Sequence, residues 1–450
     1  MDASLQRIVD YGQALSYADL PASTIHECKR RLVDTLGCAL GAFHDEPVVI
    51  ARKMALRVSV QNGARIIGTA HRTLPELAAF ANGVMGRYLD GNDTYPGGGG
   101  HPSDMVAAVM AVADAVRTDG KTLITALTFA YEVYHNFFQP TRMRDKGMDN
   151  VFYTAVGGAA GAAKILGLDR ERMANAVSLA ITPNISLEAT RRGKLSMWKG
   201  AAAGNAARNG VFAALLAAEG MTGPEKPVED ERGLIGLVGK FDLAPFGGNG
   251  RPHRITHSSL KYFLSEYHSQ SPITTALMLQ PQVRVEDIAK ITVYTQYFTW
   301  FEIGSEPEKW HPDTRETADH SLPWILAGVF IDGHFSDELF SEERLRDPRI
   351  HALTDKIVIK EEPEFTRVFP DVIHCRIEIE TTSGERKVAA VEYPRGHFNN
   401  PMTDDEVNDK FRSVAQRFLP KTRTAEVLDR LWRLETAPNL DAVFDNLRIE

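Results

Sequence analysis

Apolar residues recur at three- and four-residue spacing through most of the first 250 positions of this 450-residue chain. That period is the mark of helices burying one face. It predicts helices over 23–43, 74–89, 105–117, 121–138, 152–166, 170–182 and 198–219, with Ser23 or Thr24 as candidate cap of the first. Several are rich in Ala and Gly, which lets helices pack closely. After Gly250 the pattern changes. Segments 291–297, 356–360, 373–382 and 385–393 alternate and carry β-branched and aromatic residues, and Thr-Ser-Gly-Glu between the last two is a hairpin signal. Helical spacing at 271–278 and 321–331 interrupts these strands. Beyond a turn formed by Pro394, Arg395, Gly396 and His397, helices return over 404–418, 425–434 and 440–447. The expected class is mainly α with α+β: a large helical domain of 1–251 completed by 397–450, holding an inserted α+β domain of 252–396.

Composition narrows the function classes. Net charge is −8, so no basic excess exists to neutralise nucleic-acid phosphates. Any cations that meet an acidic substrate must be gathered locally. Cys28, Cys38 and Cys375 lack the short spacings of an iron–sulfur site and make no disulfide framework. No apolar run reaches the ~18 residues of a membrane span, and the N-terminus lacks a signal-peptide pattern. A cytoplasmic protein without membrane or nucleic-acid partners is expected. No GxGxxG follows a strand, and neither a P-loop nor a GxSxG is present.

The densest chemistry lies in Tyr88-Leu-Asp-Gly-Asn-Asp-Thr-Tyr-Pro-Gly-Gly-Gly-Gly-His101-Pro-Ser-Asp104. Asp90, Asp93, Asp104, Thr94, Ser103 and His101 surround a glycine run, and an apolar helix follows. Ser103 is the candidate N-cap of that helix, and a helix N-terminus attracts anions. An Asp beside His101 would fix its tautomer. The plainer readings are a loop histidine that satisfies carbonyls and aspartates that cap turns. Lys199, where a basic loop enters a small-residue helix, could meet a carboxylate or simply be solvated. Lys261 and His268 open the inserted segment, and His268 could be an ordinary helix-start histidine. His253 and His257 are four apart, but no Glu completes a zinc pattern, so no metal is expected. On residue types alone, these groups indicate a small-anion enzyme.

Leu89-Asp90-x-Asn92-Asp93-Thr94 followed by His101-Pro102-Ser103-Asp104 resembles the signature of the MmgE/PrpD family, which holds 2-methylcitrate dehydratases and cis-aconitate decarboxylases. Lys199-Gly-x-x-x-Gly-x-Ala-Ala-x-x-Gly resembles its active-site lysine motif, and Lys261 before Glu266-Tyr-His268-x-Gln is similar to its dehydratase branch. The segment from Thr314 to Trp324, with Asp319 and His320, resembles a motif close to the substrate. Decarboxylases of the family typically carry tyrosine where Trp324 stands, and Asp149-Asn-Val is closer to the dehydratase form.

The resemblance implies a homodimer with its active site between the two domains, acting on a small polycarboxylate without a cofactor. It implies His101, Asp90, Lys199 and His268 as catalytic residues, and Thr94, Asp93, Lys261 and His320 as substrate-binding ones. Dehydration of 2-methylcitrate or a close analogue is the expected reaction. Decarboxylation of a cis-aconitate type, epimerisation of a dicarboxylate, or anion binding without catalysis stand as alternatives.

Overall fold

The computed structural model describes residues 1–97 and 99–450; Gly98, within the glycine run, lies outside the described residues. The first core begins with α1 (Ala3–Ala14), α2 (Ala22–Gly41) and α3 (Glu46–Ala55). A short antiparallel ladder, β1 (Ala64–Arg65) with β2 (Arg72–Thr73), leads into α4 (Pro75–Tyr88). Then follow α5 (Val106–Ala115), α6 (Gly120–Thr141), α7 (Val151–Ile165), α8 (Arg170–Ile181) and α9 (Trp198–Ala218). Helices Asp404–Ala415, Lys421–Trp432 and Asp441–Asn446 from the chain's end join the same core. All but α1 and α3 coincide, to within a few residues at their ends, with the segments whose spacing predicts helix.

Small residues set how closely these helices approach. A Cβ on Gly83 of α4 would stand 2.7 Å from the Gly204 Cα of α9, and one on Gly210 would stand 2.6 Å from the Ala155 carbonyl oxygen of α7. Backbone therefore lies on backbone along α9, which no larger side chain would allow. This approach brings the C-terminal end of α4, where Asp90 follows, to the N-terminal end of α9, which carries Lys199.

The second core runs from Ile273 to Ile379. Its sheet comprises β3 (Ile288–Thr295), β4 (Ile357–Glu361), β5 (Cys375–Thr381) and β6 (Arg386–Val391), in the order β4-β3-β5-β6. β3 pairs in parallel with β4, while β3–β5 and β5–β6 are antiparallel. Alternate β5 residues Cys375, Ile377 and Ile379 are buried, against helices Gln270–Leu279 and Leu322–Asp332. The class is mainly α with α+β. First-core residues extend to Leu264 and resume at Met402. All three cysteines are buried and free. Among the described residues no helix is long and apolar enough to cross a membrane.

Two capping expectations are corrected. α2 starts at Ala22 behind Pro21, whose side chain cannot accept a hydrogen bond, so neither Ser23 nor Thr24 caps it. Ser103 does not cap α5; it lies inside a 3₁₀ turn, Pro102–Met105, that precedes the helix. Its backbone N–H donates instead to Asp93 Oδ1 at 2.8 Å. A carboxylate ten residues upstream takes the place of an N-cap, and Pro102 at the first position has no N–H to satisfy.

Candidate active site

The loop after α4 is folded around its own polar groups. Asp90 has a left-handed backbone, φ 50°, a conformation that Asp tolerates better than most residues. Thr94 pairs with Ser259 through both backbone groups, and its hydroxyl donates to the Gly100 carbonyl at 3.0 Å. Asp93 Oδ2 accepts from the Tyr131 hydroxyl at 2.8 Å and faces Arg31 at 3.4 Å. Burial raises its carboxyl against the opposing pull of Arg31. Thr94 and Asp93 therefore brace the loop.

The Asp93 carbonyl lies 2.8 Å from His101 Nδ1. A carbonyl can only accept, so Nδ1 carries the proton and Nε2 presents its lone pair. Burial, then Arg87 and Lys261, hold His101 well below the usual histidine range. It is a neutral imidazole with a defined tautomer: a base.

Asp90 is the hub of the cluster. Its Oδ1 accepts from Arg87 Nη1 at 2.6 Å and from Lys261 Nζ at 2.5 Å, while Oδ2 accepts from Lys199 Nζ at 3.1 Å. Lys261 also donates to the Asp90 carbonyl at 2.7 Å. Burial alone would raise this carboxyl, but Arg87, Lys199 and Lys261 together hold it well below the carboxylate range. Burial lowers Lys261 more than Asp90 raises it. The second core supplies Asp319, whose two oxygens lie 3.1 Å from Lys199 Nζ, and His320, whose Nδ1 donates to Asp319 Oδ1 at 2.5 Å. Burial and Lys199 push His320 down to about 4. Its Nε2 lone pair then faces Asp90 Oδ2 at 3.5 Å, and two acceptors make no hydrogen bond.

His268 enters from the other side. Its Nδ1 lies 3.5 Å from the Gln296 amide nitrogen, and its buried Nε2 has no hydrogen-bond partner among the described residues. Burial pushes it down to about 3. The neutral ring thus accepts at Nδ1 and holds an unmet N–H at Nε2. Glu266 accepts from the His268 backbone N–H at 2.6 Å, and burial raises its carboxyl to about 8. Nearby, Arg144 grips Glu302 at 2.8 Å.

Asp90, Asp319 and His320 bring ligand-type atoms within 4.8 Å of one another. Lys199 already lies against both carboxylates, however, and Arg87 and Lys261 add further positive charge. That field opposes a divalent cation.

Asp90, Lys199, Lys261 and His320 meet directly, and His101 feels the charges of Arg87, Lys261 and Asp90. His268 stands one group away. Arg87, Asp319, Glu266, Glu302 and Arg144 join them; Asp319 and Glu266 lie inside motifs that the sequence marks without a role of their own, and Arg87, Glu302 and Arg144 are not site residues by sequence reasoning. Arg87 carries a signal, because it lies three residues before Asp90. Arg191 pairs with Asp149 at 3.0 Å beneath the start of α9. Trp324 is packed in the second core, where its indole N–H donates to the Leu339 carbonyl at 3.3 Å.

Beside this cluster is a cleft of about 540 Å³. Phe298 and Phe369 in its wall contact the His268 ring, with centroids 4.8 and 5.8 Å away.

Comparison with known proteins places the chain in a family. The MmgE/PrpD N-terminal domain matches residues 6–243, and the MmgE/PrpD C-terminal domain matches residues 263–434. The chain is 31% identical to the 2-methylcitrate dehydratase of Escherichia coli K12, covering 97% of this chain and 95% of that protein. It is 30% identical to the 2-methylcitrate dehydratase of Salmonella typhimurium LT2, over 95% and 93% of the two chains. A fungal alkylcitrate dehydratase, phiI, is 26% identical over 88% of this chain and 84% of its own length. With both domains matched in order and near full-length similarity, the chain belongs to the MmgE/PrpD family.

Proposed function

We propose that this protein is a hydro-lyase that removes water from a small hydroxy-polycarboxylate, 2-methylcitrate or a close analogue, by general acid–base catalysis without a metal. The observation that carries this reading is His101, fixed as a neutral base by the Asp93 carbonyl and set against buried Arg87 and Lys261, with Lys199 joined to them through Asp90. Substrate carboxylates would exchange for Asp90 and Asp319 on those cations; each charge-assisted hydrogen bond is worth about 1.5–3 kcal/mol. His101 Nε2 takes the proton from the carbon beside a carboxylate. The electron pair forms the double bond, and the C–O bond to the hydroxyl breaks. Charge that develops on the carboxylate is met by Lys199 and Lys261.

The leaving hydroxyl needs a proton. A neutral imidazole is a poor acid, so His268 Nε2–H suits orienting the hydroxyl. Glu266, raised to about 8 by burial, holds a proton at neutral pH and suits giving it. On this reading the site lies between a helical domain of 1–251 completed by 397–450 and an inserted domain of 252–396, which the Lys199–Asp319 pair supports.

The test is a panel of hydroxy-tricarboxylates with products read by mass spectrometry. Loss of one water is expected. Loss of carbon dioxide would identify a decarboxylase, and an unchanged mass an epimerase or a binding protein. A homodimer in the cytoplasm completes the proposal. Half-exposed Trp198 and Phe212 on α9, with Ile50 and Met54 on α3, are suited to an interface, and sedimentation reads the oligomeric state.

A further inference from the structure

The cleft beside His268 is larger and more aromatic than a methyl substituent needs. Tyr95, Phe138, Tyr153, Phe298, Phe369 and Phe398 line it. Phe298, Phe369 and Phe398 are each only partly buried there. Two arginines in the same wall are already paired, Arg142 with Asp145 at 2.8 Å and Arg144 with Glu302 at 2.8 Å. Arg254, the third arginine of the wall, donates to the Pro245 carbonyl and not to a carboxylate, so the wall offers aromatic surface beside a single arginine without an ion-pair partner among the described residues. The cleft also adjoins the reacting groups. Tyr95 and Gly97 belong to the loop joining Asp90 to His101, and only the width of the His268 ring separates Phe298 and Phe369 from the far side of that histidine.

We propose that this cleft binds an extended apolar substituent of the substrate, so that the preferred substrate is a citrate carrying a longer alkyl or aryl group than methyl. The inference rests on the hydro-lyase reading and specifies its substrate class. The carboxylates of such a substrate stay on Lys199 and Lys261, and the chain passes His268 to lie against the three phenyl rings. Each methylene removed from water would raise affinity about threefold to fourfold.

Two series test it on the full-length protein. Tricarballylates with 2-methyl, 2-butyl, 2-hexyl and 2-phenyl groups lack the hydroxyl and cannot be dehydrated; titration calorimetry reads their binding alone. The matching 2-alkylcitrates read turnover. Affinity and kcat/KM should both climb along the series, by at least tenfold from methyl to hexyl. Phe398→Ser removes partly exposed wall outside the catalytic cluster and should flatten both slopes, weakening the hexyl and phenyl compounds more than the methyl ones. A flat or falling affinity series in the wild-type protein overturns the inference, and so does tighter binding of an ω-carboxylated chain. Rising affinity with no turnover of any citrate would overturn the hydro-lyase reading and leave the apolar subsite standing.

Discussion

Lys199 Nζ lies 3.1 Å from both carboxylate oxygens of Asp319, across 120 residues of sequence and from one hydrophobic core to the other. The same ammonium touches Asp90, so one lysine holds two buried carboxylates apart. Lys199→Met should cost about 3–5 kcal/mol at pH 7, because it leaves unpaired buried charge. The stranded carboxylates would relax by taking protons, so the gap to wild type should narrow at pH 5. Urea unfolding of both proteins at the two pH values checks this; a constant gap would show that Lys199 carries no such charge balance.

His101→Gln keeps an amide that can donate to the Asp93 carbonyl but has no basic nitrogen. Turnover of 2-methylcitrate should fall about 10²–10⁴-fold. Thermal stability should stay close to wild type. Near-normal kcat in a folded His101→Gln protein would remove His101 from the proton transfer.

Stability should fall on both sides of neutrality. His268 and His320 are held down to about 3 and about 4, whereas an unfolded histidine titrates near ~6.5. Their contribution is present above ~6.5 and is lost as pH falls towards the folded values, at up to about 1.4 kcal/mol per pH unit each. Glu266 acts in the opposite sense. Its folded value of about 8 exceeds the unfolded ~4.3, so its contribution is present at low pH and is lost as pH rises to about 8. Glu266→Gln should remove the decline between ~6.5 and about 8 and steepen the rise below ~6.5, where Glu266 opposes the two histidines. An unchanged alkaline slope would show that Glu266 is ionised at neutral pH.

Gly100→Ala tests how tightly His101 is placed. The added Cβ would stand 2.5 Å from Phe138 Cε2 and 2.7 Å from Tyr134 Oη, so the loop must shift. Overpacking of this kind costs about 1–3 kcal/mol. A displacement near 1 Å at the base can lower the rate about 10²-fold. Kinetics on the folded variant at a temperature well below its Tm separates the two effects; unaltered kcat would mean that the loop position does not set the base.

Elements with long, regular spacing are legible in the residue pattern itself. α9 and the β5–β6 hairpin lie within a residue or two of the segments their patterns mark. α1 and α3 do not stand out in it; α3 opens on Glu46-Pro47, and Arg52 and Lys53 interrupt its apolar positions. Caps are the least legible feature. Ser103 has the right chemistry at the right place, yet Asp93 reaches its N–H from a separate part of the loop. In the site, residue types and motifs mark His101, Asp90, Lys199, Lys261, His268 and His320 as able to bind anions or move protons. They do not show that Thr94 and Asp93 also brace the loop, because the same hydroxyl and carboxylate can bond to the chain or to a ligand.

By itself, then, the sequence determined the helical and strand periods, the small residues of α9, the acidic net charge and the family motifs, all of which are properties of neighbouring positions. The tertiary structure decided that Asp90 gathers Arg87, Lys199 and Lys261, that His101 carries its proton on Nδ1, and that Asp319 comes from the second core to complete the cluster. Those pairings depend on how closely α4 approaches α9 and on where the two cores meet. Lys199 and Lys261 lie more than a hundred residues from Asp90, and Asp319 more than a hundred from Lys199; such separations leave no periodic trace, so only folding could bring these groups into register.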